Sequence, residues 1–179
     1  MAKDLSKITR ITIWDFDQTL VNTATPDDGK IHYERKTGTP WPFEGWWGRK
    51  ESLDLEIFDM PVIDMVIEDY HIEGEKEDTL RIMLTGRLFK LSTHVEAILE
   101  SKGLVFDEYH YNGGGKTENE KMRTMEILLE KYPNVVEIAM WDDRLMHIPI
   151  FEQWGKKQCL SGKLKDFGIT VVPGGHTNG

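Results

Sequence analysis

The sequence predicts an α/β domain, a three-layer sandwich around a mainly parallel sheet. Short apolar, β-branched runs alternate with segments of helical periodicity along most of the chain. Three of those runs end in compact polar clusters, as strand ends around a common crevice do. The 179 residues suit one domain with an insert.

Ile8 to Trp14 (ITRITIW) reads as a buried strand. Gly, Pro, Asp and Asn then dominate from Asn22 to Gly48. The alternation stays broken from Leu20 to Thr79, and about 60 residues is too long for a plain loop. Residues 20–79 are therefore expected to form a cap or flap insert, with a helix candidate over Asp59–Tyr70, inside a single domain of residues 1–179. Leu80 to Leu84 is a second strand, running into Thr85-Gly86-Arg87. Val95, Ile98 and Leu99 place a helix over Ser92–Ser101, with Gly103 as its C-cap. Leu104 to Tyr111 is a weaker strand candidate, and Asn112 to Gly115 a loop. Met122, Met125, Leu128 and Leu129 give the next helix one apolar face, ended by Pro133. Val135 to Trp141 (VVEIAMW) is a clear strand, running into Asp142-Asp143. Leu145, Ile148 and Phe151 mark a helix that Pro149 is expected to kink. Gly168 to Val172 is a last strand, and Pro173 to Gly179 a soft tail.

Basic residues number 22 against 31 acidic, a net charge of −9. That balance speaks against a broad basic face on duplex nucleic acid, but not against a local grip on one strand end. One cysteine excludes an internal disulfide and a multi-cysteine zinc site, and fits a reducing compartment. No apolar run approaches the ~20 residues that span a bilayer. MAKDLSKITR carries no apolar signal segment. The expectation is a cytoplasmic protein with no membrane contact.

The chemistry lies at the strand ends. Asp15-Phe16-Asp17-Gln18-Thr19, Thr85-Gly86-Arg87 and Asp142-Asp143-Arg144 would converge at the carboxyl edge of the sheet. In an extended chain Asp15 and Asp17 point to one side, and Asp142 adds a third carboxylate. Three close carboxylates repel unless a cation sits among them, and oxygen ligands suit Mg²⁺. A carboxylate can attack phosphorus to give an aspartyl-phosphate. A second acid then protonates the leaving oxygen and later deprotonates water. A hydroxyl and a lysine can hold the remaining phosphoryl oxygens.

DFDQTL after an apolar strand, IMLTGR and AMWDD resemble, in order, the first, second and fourth motifs of the haloacid dehalogenase (HAD) superfamily. The resemblance implies a three-layer Rossmann-like fold and Mg²⁺-dependent phosphatase activity. It makes Asp15 the nucleophile and Asp17 the acid/base, with the Asp17 backbone carbonyl on the metal. Thr85 would bind the phosphoryl group, and Asp142 and Asp143 would hold the metal. The motif lysine is Lys121, opening a helix, or Lys116. Gln18 stands where a glycine is common. A narrower resemblance covers about Ile8 to Phe151: DFDQTLVNT, WW, LTGR, KGLVFD, YP and WDDRLMHIPIF run like the HAD domain of Swiss Army Knife RNA repair-like proteins. TGR and DDR are also similar to the 3′-phosphatase domain of phage polynucleotide kinase–phosphatase. Both imply a phosphorylated nucleic-acid end as substrate, and a repair ligase or kinase as a working partner. The alternatives are a phosphatase of nucleotides or small metabolites, and a catalytically silent phosphate-binding module.

Substrate contacts are expected from Thr19, Gly86, Arg87, Lys116, Trp46 and Trp47. Arg87 either touches a substrate phosphate or pairs with a site carboxylate. Arg144 is expected to pair with the neighbouring aspartates. Trp41, Trp46 and Trp47 form a small core in the insert or a stacking platform for a terminal base. Arg35, Lys36, Arg49 and Lys50 flank them as surface charge or as strand contacts. Gly113-Gly114-Gly115-Lys116-Thr117 is not a P-loop, because His110 stands where that pattern needs glycine. His147 is expected to be packed, and Cys159 a bystander.

Overall fold

A computed structural model describes residues 3–173. Five strands, β1 (Arg10–Trp14), β2 (Thr79–Leu88), β3 (Glu108–Asn112), β4 (Glu137–Asp142) and β5 (Asp166–Val171), form one sheet. Their order is β3-β2-β1-β4-β5, and every neighbouring pair is parallel. The helices are α1 (Pro26–Thr37), α2 (Asp64–Gly74), α3 (Ser92–Ser101), α4 (Thr117–Lys131) and α5 (Ile148–Leu160). Chain order runs outward from β1 in both directions, so a crevice opens where the ends of β1 and β4 lie side by side.

The sheet is apolar on both faces because its strands alternate between two cores. Ile11 and Ile13 of β1 join Ile138 and Met140 of β4, with Met125 and Leu128 of α4 and Phe151 of α5. Trp14 and Trp141 face the other way, toward Val66 and Tyr70 of α2 and Val95, Ile98 and Leu99 of α3. Trp14 and Trp141 are register partners, and their rings stack with centroids 3.8 Å apart. Helix α3 has the expected bounds, and Gly103 beyond it takes φ 72°, the left-handed conformation of a C-cap.

Helix α1 lies where the composition suggested irregular chain. It has almost no apolar face: Gly29 is its one buried residue. Its end signals define it instead. The Thr25 hydroxyl accepts the Asp28 N–H, Pro26 opens the first turn, and Asp27 and Asp28 complement the positive end of the helix. Arg35 and Lys36 complement the last turn, and Gly38 closes it at φ 77°.

Helix α2 starts at Asp64 rather than Asp59, because Met60-Pro61 is held extended at the base of the insert. There Asn22 N–H donates to the Pro61 carbonyl at 2.8 Å, and Ile63 N–H to the Leu20 carbonyl at 3.0 Å. Val21 and Val62 form an antiparallel bridge between them. The clamp confines the insert to residues 22–61, and α2 packs on β2 as an ordinary layer helix. Within the insert, Trp46, Leu53, Phe58 and Met60 share one apolar cluster with Trp14, Phe16 and Leu20. The insert is thus a packed extension of the sandwich. Pro149 falls in the first turn of α5, where no N–H is needed, and opens the helix instead of kinking it. The expected tail lies, apart from Pro173, outside the described residues. Among the described residues no helix is long and apolar enough to cross a membrane.

Close packing of α5 on β5 is testable. A Cβ at Gly155 would lie 2.0 Å from Phe167 Cδ1 and 2.3 Å from Cγ, too near the root of the ring to be avoided by rotation. Gly155→Ala is expected to destabilise by about 1–3 kcal/mol in urea unfolding, despite the ~1 kcal/mol gain in helix propensity.

Candidate active site

The alternation that builds the cores also aims the acids. Asp15 follows Ile13 by two residues and Asp142 follows Met140 by two, so both turn toward α4. Helix α4 meets them with Lys121, four residues before Met125 and seven before Leu128 on its buried face. Lys121 Nζ donates to Asp15 Oδ1 at 2.9 Å and to Asp142 Oδ2 at 2.7 Å. The side chain is 2% exposed. Burial works against its charge, but Asp142 and Asp15 outweigh burial and hold the ammonium more strongly protonated than an ordinary lysine. Asp15 is pushed well above the usual carboxylate range by burial, reinforced by the charges of Asp142 and Asp143 and opposed by Lys121. Asp143 is raised by burial too, with Asp142 adding to it.

Carboxylate oxygens of Asp15, Asp142 and Asp143 lie within 4.8 Å of one another, and all three residues are buried. Thr19 Oγ1 sits 3.3 Å from both Asp15 Oδ2 and Asp143 Oδ1. Its hydroxyl therefore braces the acids, and Thr19 is not among the residues lining the cavity. One ammonium cannot balance three buried carboxylates. The set of hard oxygen donors fits a small divalent cation such as Mg²⁺. The Asp17 side chain is not part of this cluster, which leaves only its backbone carbonyl for the metal contact that the resemblance implies.

Asp17 diverges from Asp15 because β1 stops at Trp14 and the chain folds over at once, with Leu20 N–H returning to the Asp15 carbonyl. Gln18 adopts φ 59°, which explains why glycine suits this position, and its amide donates to the Thr23 carbonyl at 3.1 Å. Arg87 grips Asp17 as a fork, Nε to Oδ2 at 2.9 Å and Nη2 to Oδ1 at 2.7 Å. Thr23 Oγ1 donates to the same carboxylate at 2.7 Å. Arg87 Nη1 reaches the insert, donating to the Trp47 carbonyl and to Ser52 Oγ, each at 2.8 Å. Of the two readings of Arg87, the pairing with a carboxylate is the one seen.

Thr85-Gly86-Arg87 lies inside β2, not after it. Pairing with β3 slips between Leu84 and Leu88, which frees this stretch from the regular ladder. Thr85 is buried, and its Oγ1 accepts the Arg87 N–H at 3.1 Å. Gly86 lets α4 approach, since a Cβ there would lie 2.7 Å from the Thr117 side chain.

Three expectations fail. Trp46 is 3% exposed, its Nε1 donates to the Ala24 carbonyl, and its ring packs on Trp41 and Phe58, so no base can stack on it. Lys116 is exposed at the start of α4 and does not line the cavity, which leaves Lys121 as the lysine among the acids. Arg144 has no carboxylate within 4.0 Å of its guanidinium among the described residues; only its backbone N–H binds Asp142. Its side chain lines the cavity instead. Trp47, by contrast, is 43% exposed and forms a wall, with the Arg87 guanidinium 4.9 Å from its ring centre. The cavity measures about 230 Å³ and takes in Asp15, Asp17, Gly86, Arg87, Lys121 and Asp143. Thr25 and Thr117 line it as well; in the sequence Thr25 is passed over, and Thr117 enters only as part of the rejected P-loop pattern. Both belong to helix starts, and the Thr-Pro and Thr-x-x-Glu patterns there were legible. His147 is buried against Phe151 as expected.

The fold and the acid cluster define a HAD-type hydrolase domain. Residues 42–178 match HAD domain family 1 in Swiss Army Knife RNA repair proteins, and the chain belongs to that family. The match takes in Thr85, Lys121, Asp142 and Asp143, and begins after Asp15 and Asp17. The chain is 28% identical over 195 residues to the Saccharomyces cerevisiae uncharacterized protein YMR265C, covering 93% of this chain and 41% of that relative's length. Two solved structures share the fold. One is a haloacid dehalogenase-like hydrolase, SP0104, of Streptococcus pneumoniae, with TM-score 0.50 and 11% identity over 91% of this chain and 94% of that one. The other is the HAD domain of the effector Lem4 of Legionella pneumophila, an inactive mutant, with TM-score 0.51 and 10% identity over 94% and 87%.

The acid cluster should answer to metal. Mg²⁺ is expected to raise the melting temperature, and more at pH 8 than at pH 6, because burial makes protons strong competitors for these carboxylates. Thermal melts with Mg²⁺ or a chelator check this, and Asp142→Asn with Asp143→Asn should erase the difference.

Proposed function

We propose that this domain hydrolyses phosphomonoesters through an aspartyl-phosphate, and that its substrate is the terminal phosphate of a nucleic-acid strand. The observation that carries the substrate class is the fixed insert. A small-molecule phosphatase gains from a lid that closes over its substrate. Here the insert is clamped at its base, shares the main core, and is tied to Arg87 beside the site. It forms a wall and leaves the mouth open. The cavity, about 230 Å³, falls below the ~300–1,000 Å³ that engulfs a whole small ligand, so it suits a phosphate end with the rest of its molecule outside.

In this reading an Asp15 oxygen attacks phosphorus while the bond to the leaving oxygen breaks, and Asp17 supplies the leaving oxygen's proton. Water then attacks the aspartyl-phosphate, Asp17 takes the water's proton, and inorganic phosphate leaves. Arg87 and Thr23 hold both Asp17 oxygens as hydrogen-bond acceptors, ready for the water's proton, and the proton given to the leaving oxygen is first taken from solvent as the fork opens. Lys121 keeps Asp15 in line and places positive charge beside the phosphoryl group. Arg144, which lines the cavity, is a further group for phosphoryl oxygens, and Thr85, buried and outside the lining, offers the proton of the hydroxyl that accepts the Arg87 N–H. Mg²⁺, held by Asp15, Asp142 and Asp143, would neutralise the dianion and the carboxylates together. A ligase or kinase that acts on the dephosphorylated end, in the cytoplasm, is the working partner this reading suggests.

Phosphate release with Mg²⁺ from single strands phosphorylated at 3′ or 5′, beside a mononucleotide panel, tests the proposal. The expected result is preference for one strand end. Asp15→Asn is expected to lose at least ~10³-fold in kcat, and Asp17→Asn a comparable amount. Preference for mononucleotides would make this a metabolite phosphatase. Binding without turnover would make it a phosphate-binding module.

A further inference from the structure

A second, shallower groove measures about 210 Å³. Two stretches distant in sequence build it: Gly48, Arg49, Lys50 and Glu51 from the insert, and Lys90 and His94 from the segment that joins β2 to α3. The strips that line the two cavities follow one another in the chain. Trp47 lines the first and Gly48 the second, while Arg87 lines the first and Lys90 the second. Arg87 Nη1 ties the strips together through the Trp47 carbonyl.

The groove is cationic in an acidic protein. Arg49, Lys50 and Lys90 face one carboxylate, Glu51, on a chain of net charge −9. Lys50 and Lys90 are exposed, and neither has a carboxylate within 4.0 Å among the described residues. Arg49 spends Nη2 on Glu51, but its Nε is buried without a partner. Two exposed aromatic residues adjoin the lining strips in the chain: Trp47, 43% exposed, precedes Gly48, and Phe89, 70% exposed, precedes Lys90. Solvated surface charge accounts for either lysine alone. It does not account for three cations gathered in one concavity whose lining strips follow Trp47 and Arg87 of the active site in the chain. Backbone phosphates pair with such cations, and bases of any identity stack on such rings.

We infer that this groove is the strand-binding subsite of the domain. It holds the phosphodiester backbone next to the nucleotide whose terminal phosphate enters the catalytic cavity. Lys50 and Lys90 meet the phosphodiester oxygens, and Phe89 receives a neighbouring base. The inference rests on the phosphatase reading above and adds to it the origin of a preference for a strand over a mononucleotide.

The test compares kcat/KM for terminally phosphorylated tetranucleotides, RNA and DNA, with that for the matching mononucleotides, in Mg²⁺ and at several salt concentrations. Wild type is expected to favour the tetranucleotide. Lys50→Glu with Lys90→Glu is expected to lower the tetranucleotide-to-mononucleotide ratio at least tenfold. It should also flatten the log–log salt dependence by about 1.4, two lost single-strand phosphate contacts at ~0.7 each. Phe89→Ala is expected to lower the ratio at least ~5-fold. An unchanged ratio and slope in the charge-reversed protein would overturn the subsite and leave the phosphatase reading standing, whereas a wild type that treats both substrates alike would overturn the subsite and the strand-end substrate together and leave only the phosphatase chemistry. If nothing is hydrolysed, the phosphatase reading falls, and anisotropy of a labelled tetranucleotide decides the groove separately: equal binding by wild type and the double variant overturns it.

Discussion

One buried ammonium organises this protein. Lys121 joins the ends of β1 and β4 to the start of α4, and its partners Asp15 and Asp142 could not be buried without it. Removing one member of such a cluster leaves charge uncompensated in the interior, at a cost of about 3–5 kcal/mol. The same arrangement is deliberately incomplete as a charge balance. Asp143 adds a third carboxylate that Lys121 does not pair. What stabilises the crevice therefore also leaves it short of two positive charges, the charge of one divalent cation.

Arg87 plays the corresponding part on the opposite side of the crevice. It neutralises Asp17, and its remaining nitrogen holds the Trp47 carbonyl and Ser52 of the insert. One guanidinium thus couples the second carboxylate to the wall that shapes the entrance. The two aspartates sit two residues apart in the chain yet belong to different electrostatic units. In the proposed mechanism that separation would let one act as nucleophile beside an ammonium while the other exchanges protons beside a guanidinium. Neighbouring groups with different surroundings are how a single site runs acid, base and nucleophile together.

The insert shows how a polar segment becomes rigid. Its helix α1 has no apolar stripe, and its capping residues alone set its ends. Its tryptophan-rich stretch divides by exposure: Trp46 fills the cluster beneath, against Gly29, where no side chain could fit, and Trp47 remains at the surface. Clamped at Val21 and Val62, the segment extends the sandwich rather than forming a hinged body.

By itself the sequence determined the layered α/β architecture, the five strands and the helices α3, α4 and α5, because period-2 and period-3.6 apolar patterns are local signals. It also determined which strand ends carry acids, and the resemblance ordered Asp15, Asp17, Thr85 and Asp142 into one site. Tertiary structure alone decided the partners. Lys121 and Lys116 are equally basic in sequence, and only the packing of α4 puts one of them on the acids. Arg87 and Arg144 both line the cavity, yet only the first is spent on a carboxylate, that of Asp17. Trp46 and Trp47 are identical neighbours, and the turn between α1 and the insert core buries one and exposes the other. Each of these choices depends on distances between segments far apart in the chain, and such distances exist only once the sheet has assembled.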